Sequence, residues 1–438
     1  MSIEKAEILK IDDIFKLNLS IPNYQRPYKW TIKNVQQLID DLLQNFREGK
    51  KIYRIGTIVL NKNKDCSEIV DGQQRLITLS LLLHKLGKDV SLLKEKPNHS
   101  ISKNNITTNY NFLKNYNFTN KFKDYLLNRC EMVCIELDDL DEAFQFFDSQ
   151  NARGKPLEPY DLLKAYHLRD MRDKDERIIH QCVERWEKSA MSNDINNLDK
   201  IINYILFRLR RWHYKENAEI FTSDELDTFK GVHEKVDYPY LHGILATHAI
   251  QKLSHENPFL YRSISAFQAT QVLINGKYFF DYIEHYTAIY EKLFKEKDGL
   301  LDKIHSINGI DLEKGVMTFL NNHKYSYRTG DKYIRNLFEC TVLFYFDKFG
   351  ESHFEEFITK AFLWAYRTRV EYQRITFKTI ENKVHDKVHD KAGLISYIER
   401  SITPEQVMRF IQQTGKVNFS KHVDPKIKEI LEIKDENK

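Results

Sequence analysis

An apolar run that stops at Asp71-Gly72 and restarts at once as a long apolar helix constrains this chain more than any other feature. Glu68-Ile69-Val70 reads as the end of a strand, Asp71-Gly72 as a turn, and residues 73–86 as a helix that Gly87 stops. Just upstream, residues 53–60 (Y-R-I-G-T-I-V-L) are β-branched and strand-like, with Gly56 marking a bulge or a close backbone approach. A charged turn over 61–65 joins the two strands, so that strand, strand and helix form one unit.

A helix that starts directly after a turn presents unsatisfied N–H groups and the positive end of its dipole, which suits a phosphate. Gly72 leaves room for a ligand against the backbone, and Arg75, one turn in, offers a planar fork to phosphate oxygens. Asp71 suits a metal ion or an oriented water, while Gln73 and Gln74 suit a ribose, a base or an attacking water. The same residues also fit an ordinary corner in which Asp71 caps the helix and Arg75 pairs with it.

Two further motifs flank this one. Residues 21–30 (I-P-N-Y-Q-R-P-Y-K-W) gather Tyr24, Gln25, Arg26, Tyr28, Lys29 and Trp30 around two prolines. Aromatic faces beside cations suit nucleobase stacking and phosphate contact; rings filling a core are the alternative. After this segment Thr31 caps an expected helix whose apolar positions run from Ile32 to Phe46 at 3–4 spacing. Downstream, residues 147–165 hold Asn151, Arg153 and Lys155 in a Gly/Pro loop, with Asp161 and Lys164 one turn apart on the next helix. That loop fits closure over phosphates or docking of a partner domain, and equally a solvated loop with a local ion pair. A helix is expected over 141–147 and a strand over 129–137, whereas the Asn/Lys-rich stretch 88–127 reads as peripheral helices and loops.

Past residue 175 strand alternation stops. Residues 201–211, 279–294, 333–349 and 354–366 are apolar with helical periodicity, and a polar tail is expected after 421. Arg367, Arg369, Arg374 and Lys378 lie among Tyr366, Tyr372 and Phe377, a candidate DNA-binding stretch or a solvated helix face. His385 and His389 stand four apart, but Lys383, Lys387 and Lys391 repel a cation, so a charged helix is the simpler reading.

With 67 basic and 63 acidic side chains the net charge is only +4, so any DNA-facing surface must come from local clustering. Five scattered cysteines, Cys66, Cys130, Cys134, Cys182 and Cys340, read as buried thiols of a reduced, cytoplasmic protein; Cys130 and Cys134 on one strand face are also half of a zinc spacing. No apolar run reaches the roughly 20 residues a membrane span requires, and none has the form of a signal peptide. The phosphate loop of P-loop ATPases and the nucleophile elbow of α/β-hydrolases are both missing.

Taken in order, I-P-x-Y-Q-R-P-Y-x-W, G-T-I-V-L, I-V-D-G-Q-Q-R-L-x-T-L and F-x-x-x-N-x-x-G-K-P-L-x-x-x-D-L-L-K-A resemble the N-terminal domain of GmrSD-type, modification-dependent restriction proteins over about residues 8–170. The resemblance implies a ParB/sulfiredoxin-like nucleotide-binding domain over 1–175; with the helical periodicity past residue 175, the expected chain is α+β, ending in an all-helical DNA- or partner-binding region over 176–438. It implies a nucleoside triphosphate with Mg²⁺ as ligand, with Asp71, Gln74 and Arg75 catalytic and Asp71 on the metal. Tyr24, Gln25, Arg26, Gly72, Gln73, Asn151, Lys155 and Lys164 would bind the nucleotide. It also implies defence against phages with modified DNA, nucleotide turnover being coupled to cleavage. The His-Asn-His nuclease domain that many relatives append is not found here, so a separate nuclease subunit, or a second copy of the chain, is an expected partner. A non-catalytic DNA-binding adaptor using nucleotide as a switch, and a metal-dependent nuclease, are the competing expectations.

Overall fold

Among the described residues, five strands make one mixed sheet in the first part of the chain. They are β1 (Lys5–Lys10), β2 (Leu19–Ser20), β3 (Tyr53–Lys62), β4 (Ser67–Asp71) and β5 (Cys130–Leu137), in spatial order β1-β5-β3-β4-β2. β3 sits in the middle, parallel to β5 and antiparallel to β4. Its Ile58, Val59 and Leu60 are all buried, as a strand covered on both faces requires. The register against β5 slips between Arg54 and Gly56, so the expected irregularity at Gly56 is a bulge.

The computed structural model describes residues 5–22, 25, 27–62, 66–94, 100–137, 158–171, 174–191, 198–256, 265, 267–385, 393–410 and 423–432. It divides into two compact units, Met1–Glu187 and Lys188–Lys438. The helix expected over 141–147 and the loop after it lie outside the described residues.

Among the described residues of the first unit the α-helices are α1 (Ile11–Ile14), α2 (Ile32–Arg47), α3 (Gln73–Lys85), α4 (Ser100–Lys114), α5 (Asn120–Asn128), α6 (Pro159–Arg169) and α7 (Glu176–Met191), the last containing the boundary between units. At the start of α2, Asn34 Oδ1 accepts from Thr31 N at 3.0 Å and from Thr31 Oγ1 at 3.1 Å, and Val35, Leu38, Ile39 and Leu42 are buried behind it. α3 is nearly all buried, which explains its apolar sequence. The Asn/Lys-rich tract is not peripheral: Leu113, Phe122, Tyr125 and Leu126 of α4 and α5 join the same core as Ile58 and Leu79. A few apolar residues suffice when they join one core, and Lys103, Lys114 and Lys121 stay exposed.

The second unit is mostly helical, with Lys277–Phe294, Thr329–Phe349 and Phe354–Tyr366 where periodicity placed them. The stretch near 201–211 is a π-helix, Lys200–Leu206, running into an α-helix, Phe207–His213. Two expectations need correction. Ser306–Ile307 pairs with Ile310–Asp311 in a small hairpin, turned by Asn308 (φ 54°) and Gly309 (φ 78°), an Asn-Gly signal present in the sequence. The tail after 421 contains a helix, Pro425–Glu432, because Ile427 and Ile430 bury one face. Among the described residues no helix is long and apolar enough to cross a membrane. Cys130 and Cys134 are free and buried on β5, and burial pushes both thiols up to about 12.

Candidate functional site

β4 ends at Asp71, Gly72 adopts φ 92°, ψ 2°, and α3 begins at Gln73. The first helical bond runs from Leu76 N to Gly72 O at 2.9 Å, so the amides of Gln73, Gln74 and Arg75 precede it at the helix N-terminus. A Cβ on Gly72 would meet Ile58 Cγ2 at 2.6 Å. Glycine is therefore required there by its left-handed backbone and by close packing of α3 on β3, a tighter reason than room for a ligand.

Arg75 points back over the bulge. A Cβ on Gly56 (φ 148°) would lie 1.9 Å from Arg75 Nη1, and Arg75 Nη2 stands 3.9 Å from Asp71 Oδ2. Both side chains are a little over one quarter exposed, so the contact is long and solvent-facing. The neighbouring glutamines turn inward. Gln74 Oε1 accepts from Lys29 N at 2.8 Å and Trp30 N at 3.2 Å, while its Nε2 donates to Pro27 O at 3.2 Å. Gln73 is buried beside it. Gln74 thus holds the 27–30 segment rather than offering its amide to solvent.

That segment is held from a second side by α4. Ser102 Oγ accepts from Tyr28 N at 2.9 Å, Asn105 Nδ2 donates to Tyr28 O at 2.8 Å, and Asn109 Nδ2 donates to Trp30 O at 2.7 Å and to the Tyr28 hydroxyl at 3.0 Å. The fully buried Tyr28 hydroxyl also meets Thr78 Oγ1 at 2.8 Å, and burial raises its pKa despite these bonds. Tyr28 is therefore core, as the alternative reading had it. Sequence reasoning missed Ser102, Asn105 and Asn109; their 3–4 spacing on one helix face was the available signal. Gln25 Nε2 donates to Ile69 O at 2.9 Å and Val70 O at 2.7 Å, tying this segment to β4 next to the turn. Tyr24 and Arg26 lie outside the described residues, as do Asn151 and Lys155.

Lys164 is 1% exposed and binds Glu187 Oε1 at 2.6 Å; Glu187 Oε2 lies 3.4 Å from Lys29 Nζ. Burial alone pushes the Glu187 carboxyl up, but the two ammonium groups outweigh it and the net shift is downward. Glu187 gave no signal in the sequence, being one acid in a charged helix. In the second unit Arg369 is buried and grips Asp331 through Nε–Oδ1 at 3.2 Å and Nη2–Oδ2 at 2.8 Å. Arg367 pairs with Glu371 at 3.3 Å, whereas Arg374 and Lys378 are exposed. The basic stretch is therefore divided, and Arg369 faces inward. Among the described residues no three His, Cys, Asp or Glu side chains converge as a metal cage.

Residues 8–168 match the family model of the GmrSD restriction endonuclease N-terminal domain, so this part of the chain carries a GmrSD-type, restriction-system domain. Residues 178–425, more than half of the 438, match a family of unknown function (DUF7834), and the chain belongs to that family. No curated protein matches the chain.

Proposed function

We propose that the first unit binds and hydrolyses a nucleoside triphosphate, and that the chain is the sensor or regulatory subunit of a modification-dependent restriction system. The observation that carries this reading is the seat of Arg75: its guanidinium rests on the Gly56 bulge, solvent-facing, next to the amides that open α3. Guanidinium and amides together stabilise phosphate charge, and fixed donors aimed at developing charge supply the largest share of catalysis in phosphoryl transfer. Asp71 is the carboxylate at the turn. One carboxylate with the substrate's own phosphates is an ordinary Mg²⁺ environment, and the ion would neutralise phosphate charge there. Gly72 and Gln73 shape the turn, Gln25 anchors the strand edge beside it, and Gln74 and Lys164 act by holding the surrounding segments. Arg374 and Lys378 are the residues proposed to meet DNA phosphates, and a separate nuclease subunit or a second copy of the chain would supply the cutting.

Phosphate release from each of the four ribonucleoside triphosphates, with Mg²⁺, tests the proposal. Turnover by the wild type that is abolished in Arg75→Ala, with an unchanged circular-dichroism spectrum, is expected. Unaltered turnover in Arg75→Ala would remove the assignment, and nucleotide binding without turnover would favour the adaptor that uses nucleotide as a switch.

A further inference from the structure

Three side-chain contacts run in series from the Asp71–Arg75 turn to α7, the helix in which the first unit ends, and on to α6. Gln74, in the first turn of α3, accepts from Lys29 N at 2.8 Å. Lys29 then sends its ammonium to Glu187 Oε2 at 3.4 Å, and Glu187 holds Lys164 of α6 through Oε1 at 2.6 Å.

The two links at Glu187 differ in kind. Lys164 and Glu187 are 1% and 2% exposed, so neither charge can be left without the other. Lys29 is 38% exposed and its contact is longer, so water can take over its ammonium at small cost. The Lys164–Glu187 pair is neutral without it. Lys29 is therefore the adjustable partner of Glu187: its contact can be made or broken by a small shift of the backbone at 29, whereas the buried Lys164–Glu187 bond persists. That backbone is positioned by Gln74, whose own amide lies at the anion-facing start of α3.

We propose that Lys29 and Glu187 are positioning residues through which occupancy of the Asp71–Arg75 turn is felt at α7; the inference rests on the nucleotide reading above. An anion on the first-turn amides fixes α3 at Gln74, Gln74 fixes residues 27–30, and Lys29 then closes on Glu187. Linkage makes the effect reciprocal, so the state of α7 alters nucleotide affinity by the same factor.

Hydrogen exchange across α7, read by mass spectrometry on the full chain with and without saturating ATP or GTP and Mg²⁺, tests this in the wild type, Lys29→Met and Lys29→Arg. Nucleotide is expected to slow α7 exchange in the wild type and in Lys29→Arg. Lys29→Met, which keeps the Lys164–Glu187 pair but removes the charge facing Glu187 Oε2, is expected to bind about tenfold more weakly and to show no α7 protection even at saturation, while Lys29→Arg keeps that charge. Equal protection in Lys29→Met would overturn the relay. If the wild type binds neither nucleotide, the nucleotide reading fails by itself, and the relay is judged on ligand-free protein. There Gln74→Leu must speed α7 exchange in the Lys29 background and not in Lys29→Met; equal effects in both would sink it.

Discussion

Arg75 presses on the backbone of Gly56: a methyl group added at residue 56 would fall 1.9 Å from Arg75 Nη1. The contact joins α3 to the bulge in β3 and fixes the guanidinium beside the helix start. It also gives Gly56 two reasons to be glycine, its φ of 148° and its occupied Cβ position.

Gly56→Ala is therefore expected to expel Arg75 and to destabilise the first unit by about 1–3 kcal/mol from backbone strain alone. Nucleotide affinity should fall as far as in Arg75→Ala, although no polar atom has been removed. Calorimetric melting and nucleotide titration check the two halves; wild-type affinity in Gly56→Ala would show that the seat of Arg75 is unimportant.

The clamp on residues 27–30 makes a graded prediction. Tyr28→Phe loses the hydroxyl bonds to Thr78 and Asn109 and should cost about 1 kcal/mol. Asn109→Ala also strips the donor from Trp30 O and should cost more, about 1–3 kcal/mol, because a part-buried carbonyl is left unpaired. Urea unfolding of the two variants gives the order directly.

The divided basic stretch separates binding from folding. Arg374→Glu with Lys378→Glu should weaken DNA binding and flatten its salt dependence while leaving the melting temperature unchanged, since both side chains are exposed. Arg369→Ala should lower the melting temperature, because buried Asp331 loses one of its two arginine partners among the described residues and keeps Arg328 at 2.8 Å. Filter binding at several salt concentrations and thermal melts distinguish the two; intact DNA binding in the double variant would remove these residues from the proposed surface.

Asp347 makes stability depend on pH in the second unit. Burial raises its carboxyl from 3.8 to about 6, against the pull of Ala269 N–H at 2.8 Å and the Tyr286 hydroxyl at 2.7 Å. The folded state therefore holds this proton more tightly than the unfolded chain. Its contribution is complete below the unfolded pKa and is lost as pH rises through about 6. Asp347→Asn, which does not titrate, should flatten the stability profile between pH 4 and 6, roughly the interval set by those two values. Denaturant midpoints across that range measure it, and an unchanged slope would assign the pH dependence elsewhere.

Much of the frame was legible in residue order. Thr31 marks the start of α2, Asp71-Gly72 the end of β4, Gly87 the end of α3, and the run 53–60 the central strand, because each is fixed by local dihedral preference or by the period of its own apolar residues. The same locality explains the misses. The Asn-Gly of the hairpin at 308–309 was a readable signal overlooked beside long helical periods. Residues 88–127 read as peripheral because their composition is polar, although Leu113, Phe122, Tyr125 and Leu126 belong to the core.

For the Asp71–Arg75 turn, sequence alone determined the corner itself: the strand end, the glycine, the helix start and an arginine one turn in. Only the tertiary structure decided how its members are used. Arg75 is seated by a glycine nineteen positions upstream, Gly72 is closed off by Ile58, and Gln74 is drawn inward by the 27–30 backbone. Lys164 and Arg369 were equally basic on paper as Lys378, yet each is buried against a carboxylate distant in the chain, Glu187 and Asp331. The physical reason is that a short-range preference depends on a residue and its neighbours in sequence, whereas the fate of a charge or an amide depends on which partner the fold brings within about 3 Å of it.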